Sequence, residues 1–359
     1  MTTNQSSQPL PTTQKAAILV NPGPDFSFEI RNDVPVQPLG ARDVLVSIEV
    51  TGICGTDLGL ACGALGPCST ILGHEGVGRV VAVGSDVSAA TAASLGRRVA
   101  VAWIRDCCGA CAVCMRGEGE TRCLGRVFGG MAVPGTLAET AVVPERYLCP
   151  LPDDLEPEVM APIVCGGVTA YKAIKTCEAV PGSWILVSGG AGGVGGLAVQ
   201  FASAMGYRVI AVDGGEEGGK RSLAAGAEKY IDFQKDKDIK EAVLRETGGQ
   251  LCAAAIVCVG ASSAYEAALP CLDHFGVLVC VGIPPGGAQV SFHPITLIDL
   301  GIKIKASLVG SRGDILEALE FVRRGLVKPR VFSIAMEELN QYVRKVAEVD
   351  GKLLVRVRE

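Results

Sequence analysis

Three sets of residues in this 359-residue chain have the types and spacing to do chemistry. The first is rich in sulfur. Cys108, Cys111, Cys114 and Cys123 follow a C-x2-C-x2-C-x8-C pattern within one short loop that also carries Gly, Arg and Glu. Four thiolates so close together suit a closed, tetrahedral structural zinc. The spacing is also open to an iron–sulfur cluster, or to cysteines used only as small apolar side chains, although those prefer buried strands to such a loop. Cys107 is adjacent, but the regular spacing selects Cys108.

The second set is dispersed: Cys54-Gly-Thr56-Asp57, Gly73-His74-Glu75-Gly76, and Cys165. A lone Cys or His reads as a packing residue. Together these supply thiolate, imidazole and thiolate with a carboxylate beside them, and a catalytic zinc keeps three protein ligands and an open fourth position. The chain has only three histidines, at 74, 274 and 293, so a mechanism that needs several is excluded. His274 and His293 lie outside any metal-ligand pattern and read as structural or surface residues. The nine cysteines outside both sets, Cys252, Cys258 and Cys280 among them, read as core filler.

The third set is a glycine turn. Gly190, Gly192 and Gly195 form G-x-G-x-x-G, with Gly193 and Val194 inside it, after an apolar strand and at the start of a helical pattern. Such glycines let the backbone approach a pyrophosphate, and the free N–H groups of the helix start face its charge. Asp213 ends the next strand, where an acid bonds the adenosine ribose 2′-hydroxyl and repels a 2′-phosphate, favouring NAD over NADP. The Gly-Gly-Glu-Glu that follows adds negative charge, and Lys220 is counted with the cofactor set.

The surrounding pattern says what must position these groups. Residues 16–164 hold short apolar runs (44–50, 78–83, 98–103 and 137–143) broken by Gly, Pro and Asp, which predicts a β-rich domain. Beyond residue 165 the runs 185–187, 209–212, 229–232, 254–259 and 277–281 alternate with helical stretches 197–205, 220–225, 238–247 and 264–271. That alternation predicts βαβ units and a doubly wound parallel sheet. From residue 303 a strand-like start, a helix over 314–324 and a strand over 353–357 read as a return to the first domain. The expected organisation is a disordered tail over 1–15, a catalytic domain over 16–164 and 303–359, and a cofactor domain over 165–302.

These motifs resemble the zinc-dependent medium-chain alcohol dehydrogenases, closest to the yeast type. The resemblance runs from about residue 16 to the end. It rests on Thr51-Gly-Ile-Cys-Gly-Thr-Asp57, Gly73-His-Glu-Gly-Val-Gly78, the four-cysteine loop, Ala161-Pro-Ile-Val-Cys-Gly-Gly-Val-Thr-Ala-Tyr-Lys172, the glycine turn and Val309-Gly-Ser-Arg312. It implies an α/β protein with a GroES-like catalytic domain and a Rossmann-type cofactor domain, two zinc ions per subunit, NAD(H), and a small alcohol or carbonyl substrate. It further implies that Cys54, His74 and Cys165 hold the catalytic zinc and that Glu75 can approach it. Asp57 would orient His74, Thr56 would accept the substrate proton, Trp103 would line the substrate pocket, and Arg312 would contact the cofactor phosphates. Hydride transfer is expected in the cleft between the two domains. A homodimer or homotetramer built through the sheet edge around residues 302–309 is also implied. Two features depart from the pattern. Gly59 stands where many members carry a proton-relay His, and Ala61-Cys-Gly-Ala-Leu-Gly-Pro-Cys68 replaces bulky aromatics, implying a wider pocket. A larger carbonyl or an activated alkene is the alternative substrate class.

Composition narrows the rest. A net charge of −5 argues against a nucleic-acid partner and gives no support to a membrane anchor. No apolar run approaches the roughly 20 residues of a membrane span, and the polar N-terminus lacks the features of a secretory signal. A cytoplasmic location is expected.

Overall fold

The computed structural model describes residues 11–116, 119–346 and 348–358. The expected tail falls largely on residues 1–10, outside that range, and Thr13 already opens a strand.

Short apolar runs punctuated by Gly and Pro build the first unit, which runs to Cys165 and resumes at Pro329. Its strands are β1 (Thr13–Val20), β2 (Ser27–Pro35), β3 (Asp43–Gly52), β4 (Glu75–Val83), β5 (Arg98–Val101), β6 (Ile104–Asp106), β7 (Val127–Phe128), β8 (Thr140–Pro144) and β9 (Cys149–Pro150). β1 and β2 pair antiparallel, as do β6 and β7.

The second unit, Gly166–Lys328, holds β10 (Trp184–Ser188), β11 (Arg208–Asp213), β12 (Lys229–Asp232), β13 (Cys252–Val257), β14 (Leu272–Cys280) and β15 (Lys303–Ala306). They form one wholly parallel sheet in the order β12-β11-β10-β13-β14-β15. This is the 3-2-1-4-5-6 order of a doubly wound dinucleotide-binding sheet. Its central strands are apolar throughout because helices cover both faces of a parallel sheet; Ile185, Val187, Ile210, Ala211, Ala254 and Ile256 are all fully buried.

The chain then returns with β16 (Val331–Ala335) and β17 (Lys352–Arg356). The main sheet of the first unit runs β16-β17-β3-β4-β5-β9, with β8 also on β3. Its core gathers Val44, Val46, Ile48, Leu72, Leu137, Leu353 and Val355.

The return comes at Pro329, not at residue 303 as the sequence pattern suggested. The reason is pairing. Lys303–Ala306 continues the parallel sheet beside β14. The helix Arg312–Arg323 is tied to the helix Val168–Thr176 by Lys175, whose Nζ lies 2.9 Å from Asp314 Oδ1 and 2.7 Å from Glu317 Oε2.

Candidate metal centre

Asp57 organises the second residue set. Cys54 is the N-cap of the helix Gly55–Ala61, and Asp57, three residues on, bonds back to the Cys54 N–H at 2.9 Å. That reciprocal arrangement is a capping box, which accounts for the Cys-x-x-Asp spacing. The other carboxylate oxygen accepts from Gly73 N–H and lies 3.0 Å from His74 Nδ1. An ionised carboxylate only accepts, so Nδ1 carries the proton and Nε2 is left free as a donor atom. Nε2 lies 3.5 Å from the Cys165 sulfur. Asp57 and His74 are buried, as is Cys165, which sits in a π-helical turn, Ile163–Gly167. Such turns recur at functional sites.

Glu75 opens β4 opposite Gly52 of β3. A side chain at Gly52 would place its Cβ 2.0 Å from Glu75 Oε2, so glycine there makes room for the carboxylate. Lys352 Nζ, at the start of β17, lies 2.6 Å from Oε1, while the fully buried Oε2 has no partner among the described residues. One donor atom from each of Cys54, His74, Glu75 and Cys165 lies within 4.8 Å of the others.

Burial and mutual contact shift the ionisable groups of this set in opposite directions. A hydrogen bond from Cys165 drives the Cys54 thiol well below its ordinary range, against the effect of burial. That same bond and burial push Cys165 well up. Burial raises Glu75 to about 7 despite Lys352. Burial disfavours the His74 imidazolium, but the charge and hydrogen bond of Asp57 together with those of Cys54 outweigh it and raise the imidazole. Two sulfurs, an imidazole nitrogen and an orphaned carboxylate oxygen fit a zinc ion in both number and softness.

Thr56 Oγ1 lies 3.7 Å from the Cys54 sulfur. Trp103 packs edge-on against the His74 ring at 4.9 Å, and Phe128 stacks on Trp103 at 4.7 Å. Gly59 is filled from outside: a Cβ there would meet Leu65 Cδ1 at 2.8 Å, so a histidine could enter only if Leu65 moved. Phe128 and Lys352 were missed by sequence reasoning. The first is one aromatic among loop residues, and the second reads as an ordinary exposed strand end.

The four-cysteine loop converges as its spacing suggested, with Cys108, Cys111, Cys114 and Cys123 sulfurs within 4.8 Å of one another. Backbone N–H groups point at the sulfurs: Cys111 N to Cys108 Sγ at 3.3 Å, Cys114 N to Cys111 Sγ at 3.4 Å, and Gly125 N to Cys123 Sγ at 3.3 Å. The N–H groups of Cys114 and Leu124 lower Cys111 to about 6. Burial pushes Cys114 up.

In the second unit, Gly190 and Gly192 lie between β10 and the helix Gly193–Ala204, whose first turn carries Val194 and Gly195. A Cβ on Gly195 would lie 1.9 Å from Gly189 O, so only glycine permits this approach. Asp213 Oδ2 accepts from Ala191 N at 2.8 Å, joining the glycine turn to the end of β11. Arg312 is the first residue of its helix, behind a Ser311 cap. Lys220 sits on an exposed helix face, paired with Glu216 and Glu217, whereas Gly218 is the residue that abuts Asp213 Cβ. His293 caps the helix Pro294–Leu300 and His274 is exposed beside Asp273, both in structural or surface settings.

Comparison with known proteins follows this division. Residues 40–153 match the alcohol dehydrogenase GroES-like domain, and residues 193–324 match the zinc-binding dehydrogenase domain. The chain is 37% identical to alcohol dehydrogenase 2 of Emericella nidulans, over 97% of each chain. It is 38% identical to an alcohol dehydrogenase of Geobacillus stearothermophilus, over 93% of this chain and 96% of that one. Among solved structures, acetophenone reductase from Geotrichum candidum in complex with NAD superposes with a TM-score of 0.83 at 26% identity, covering 97% and 98% of the two chains.

Proposed function

The chain belongs to the zinc-dependent medium-chain alcohol dehydrogenase family, and we propose that its Cys54, His74 and Cys165 hold the catalytic zinc. It is an oxidoreductase of alcohols and carbonyls that uses zinc and NAD(H). A zinc ion bound there supplies Lewis-acid polarisation of the substrate oxygen, and NAD(H) carries the hydride. Everything else is done by the chain. Asp57 fixes the tautomer and direction of His74. Lys352 holds Glu75 by one oxygen, leaving the other free to approach the metal. The Thr56 hydroxyl would accept the alcohol proton while releasing its own, and Leu65 packed over Gly59 leaves no side chain at that position to receive it. Trp103, braced by Phe128, forms one wall of the substrate site. Cys108, Cys111, Cys114 and Cys123 hold a second, structural zinc.

In the cofactor domain the free N–H groups of Gly193, Val194 and Gly195 at the helix start would receive the pyrophosphate, while Gly190 and Gly192, whose own N–H groups bond Val212 O and Gly189 O, shape the turn; Arg312 adds positive charge, and Asp213 selects NAD over NADP. We assign no cofactor contact to Lys220, because Glu216 and Glu217 already neutralise it. Two copies join through β15, whose outer edge has no partner strand among the described residues and which carries the exposed Ile304, on the same cavity as the exposed Ile283 and Phe292. Fifteen cysteines, all free where the structure describes them, suit a reducing compartment, which supports a cytoplasmic location. No helix of the described residues is long and apolar enough to cross a membrane.

The observation that carries this reading is the convergence of donor atoms from the buried His74, Glu75 and Cys165 and the half-buried Cys54 within 4.8 Å. The test is NADH consumption over small aldehydes, bulky aldehydes, ketones and enones, by wild type and Cys54→Ser. Wild type reduces carbonyls and the variant does not; a Cys54→Ser enzyme at full turnover refutes the assignment.

A further inference from the structure

Asp213 sits on a turn that should be loose. It is followed by Gly214 and Gly215, and two successive glycines leave a backbone free to wander. Yet the turn is gripped from the neighbouring strand. In the parallel register of β11 and β12, Asp213 faces Asp232 and Ala211 faces Tyr230. Asp232 Oδ1 accepts from Gly215 N–H at 3.0 Å and from Gln234 N–H at 3.0 Å. The Tyr230 hydroxyl donates to Gly215 C=O at 2.7 Å. Gly215, at φ +75°, is thus held by both its N–H and its carbonyl.

The ring of Tyr230 is seated with equal care. It lies against the start of the helix Gly215–Ala224, where a Cβ on Gly219 would come within 2.8 Å of Tyr230 Cε1 and one on Gly218 within 3.2 Å of its hydroxyl. The two glycines therefore create the space the ring fills. Asp213 itself spends one oxygen on Ala191 N–H and the other on Gly214 N–H, each at 2.8 Å. Each oxygen retains a lone pair for a ribose hydroxyl. Any slackening at Gly215 would pass through Gly214 to that carboxylate.

We propose that Tyr230 and Asp232 are positioning residues for the adenosine ribose acid: by clamping Gly215 they fix Asp213 and so set how strongly the enzyme prefers NAD(H) to NADP(H). The proposal rests on Asp213 being the ribose acid. A carboxylate held rigidly bonds a 2′-hydroxyl well and cannot swing away from a 2′-phosphate. A loosened one does both less well.

The test is direct binding of NADH and NADPH to the full-length enzyme by nicotinamide fluorescence, for wild type, Tyr230→Phe, Asp232→Asn and Asp213→Ala, with a thermal melt of each. Tyr230→Phe removes one oxygen and keeps the ring against Gly219. Losing one partly buried hydrogen bond to the turn is expected to weaken NADH binding by about 3- to 10-fold. NADPH binding should hold or improve, so the NADH:NADPH affinity ratio falls by at least that factor. Asp232→Asn, which keeps one acceptor oxygen, should shift the ratio the same way by less. If Asp213→Ala collapses the ratio while Tyr230→Phe and Asp232→Asn leave it unchanged, the clamp is refuted and the ribose acid stands. Equal weakening of both cofactors also refutes it, since that marks a merely structural loss. If Asp213→Ala leaves the ratio unchanged, the ribose reading itself fails and takes the clamp with it.

Discussion

Replacing Asp57 by asparagine changes one atom at the junction of the metal centre. The carboxylate accepts from three donors: Cys54 N–H on one oxygen, and Gly73 N–H and the His74 imidazole on the other. Asn has one acceptor oxygen. With the amide turned one way, an NH2 faces Cys54 N–H; turned the other way, it faces Gly73 N–H and His74. Asp57 is only 2% exposed, so water cannot substitute. An unsatisfied buried donor costs about 1–3 kcal/mol. Losing the carboxylate partner of a metal-bound imidazole typically costs about 10- to 100-fold in metal affinity. Asp57→Asn should therefore lower the melting temperature and weaken zinc at the Cys54 set by about 10- to 100-fold, leaving the four-cysteine loop loaded. Elemental analysis after dialysis against chelators of graded strength reads this directly: wild type releases its second ion at a much higher chelator strength than the variant. Identical release curves would refute the orienting role of Asp57. So would a variant that melts lower but holds its metal as tightly, because then the residue braces only the fold.

Cys111→Ser should remove about one zinc per chain and lower thermal stability, because binding at a closed thiolate site contributes directly to folding. Titration with a thiol-selective reagent should then find Cys108, Cys114 and Cys123 newly reactive, and a variant with wild-type zinc content would contradict this assignment. At the tie between the helices Val168–Thr176 and Arg312–Arg323, the hydrogen bonds of Lys175 and Tyr171 hold Glu317 below the ordinary carboxylate range; Asp314 is also lowered, burial opposing and Lys175 with Ser311 prevailing. Lowered acids stabilise the fold above their ordinary pKa and lose that contribution as pH falls through the lowered value. Lys175→Met should therefore melt below wild type at pH 7, and the gap should persist to about 4 and shrink as pH drops below it; a gap independent of pH would refute the ion-pair account.

How much of this the sequence carried depends on whether the governing interaction is local. The parallel sheet was legible because its inner strands, such as β10 and β13, are buried on both faces and read as apolar runs, whereas the exposed edge strand β15 was assigned to the other domain. The four-cysteine loop was legible because all its ligands lie within sixteen residues, Cys108 to Cys123. Cys165 was less so: nothing in Ile163–Gly167 announces a metal ligand, and it was grouped with Cys54 and His74 because the three together complete a zinc ligand set, a grouping the family resemblance then supported. The hairpin of β1 and β2 was missed because its charged residues, such as Glu29, Arg31 and Asp33, lie on its open face and blur the alternation. The helix Val168–Thr176 was missed for its approach, a Pro and two glycines that pattern reading treats as breakers. The boundary at Pro329 follows from pairing between β14 and β15, and Lys352 from an ion pair 277 positions away in sequence; neither leaves a local mark.

The most direct test of the account is anomalous diffraction at the zinc absorption edge from crystals of the full chain. It predicts two peaks per chain, one bounded by Cys108, Cys111, Cys114 and Cys123, and one bonded to Cys54, His74 and Cys165 with a position left for substrate. A chain with no metal at Cys54, His74 and Cys165 would contradict it.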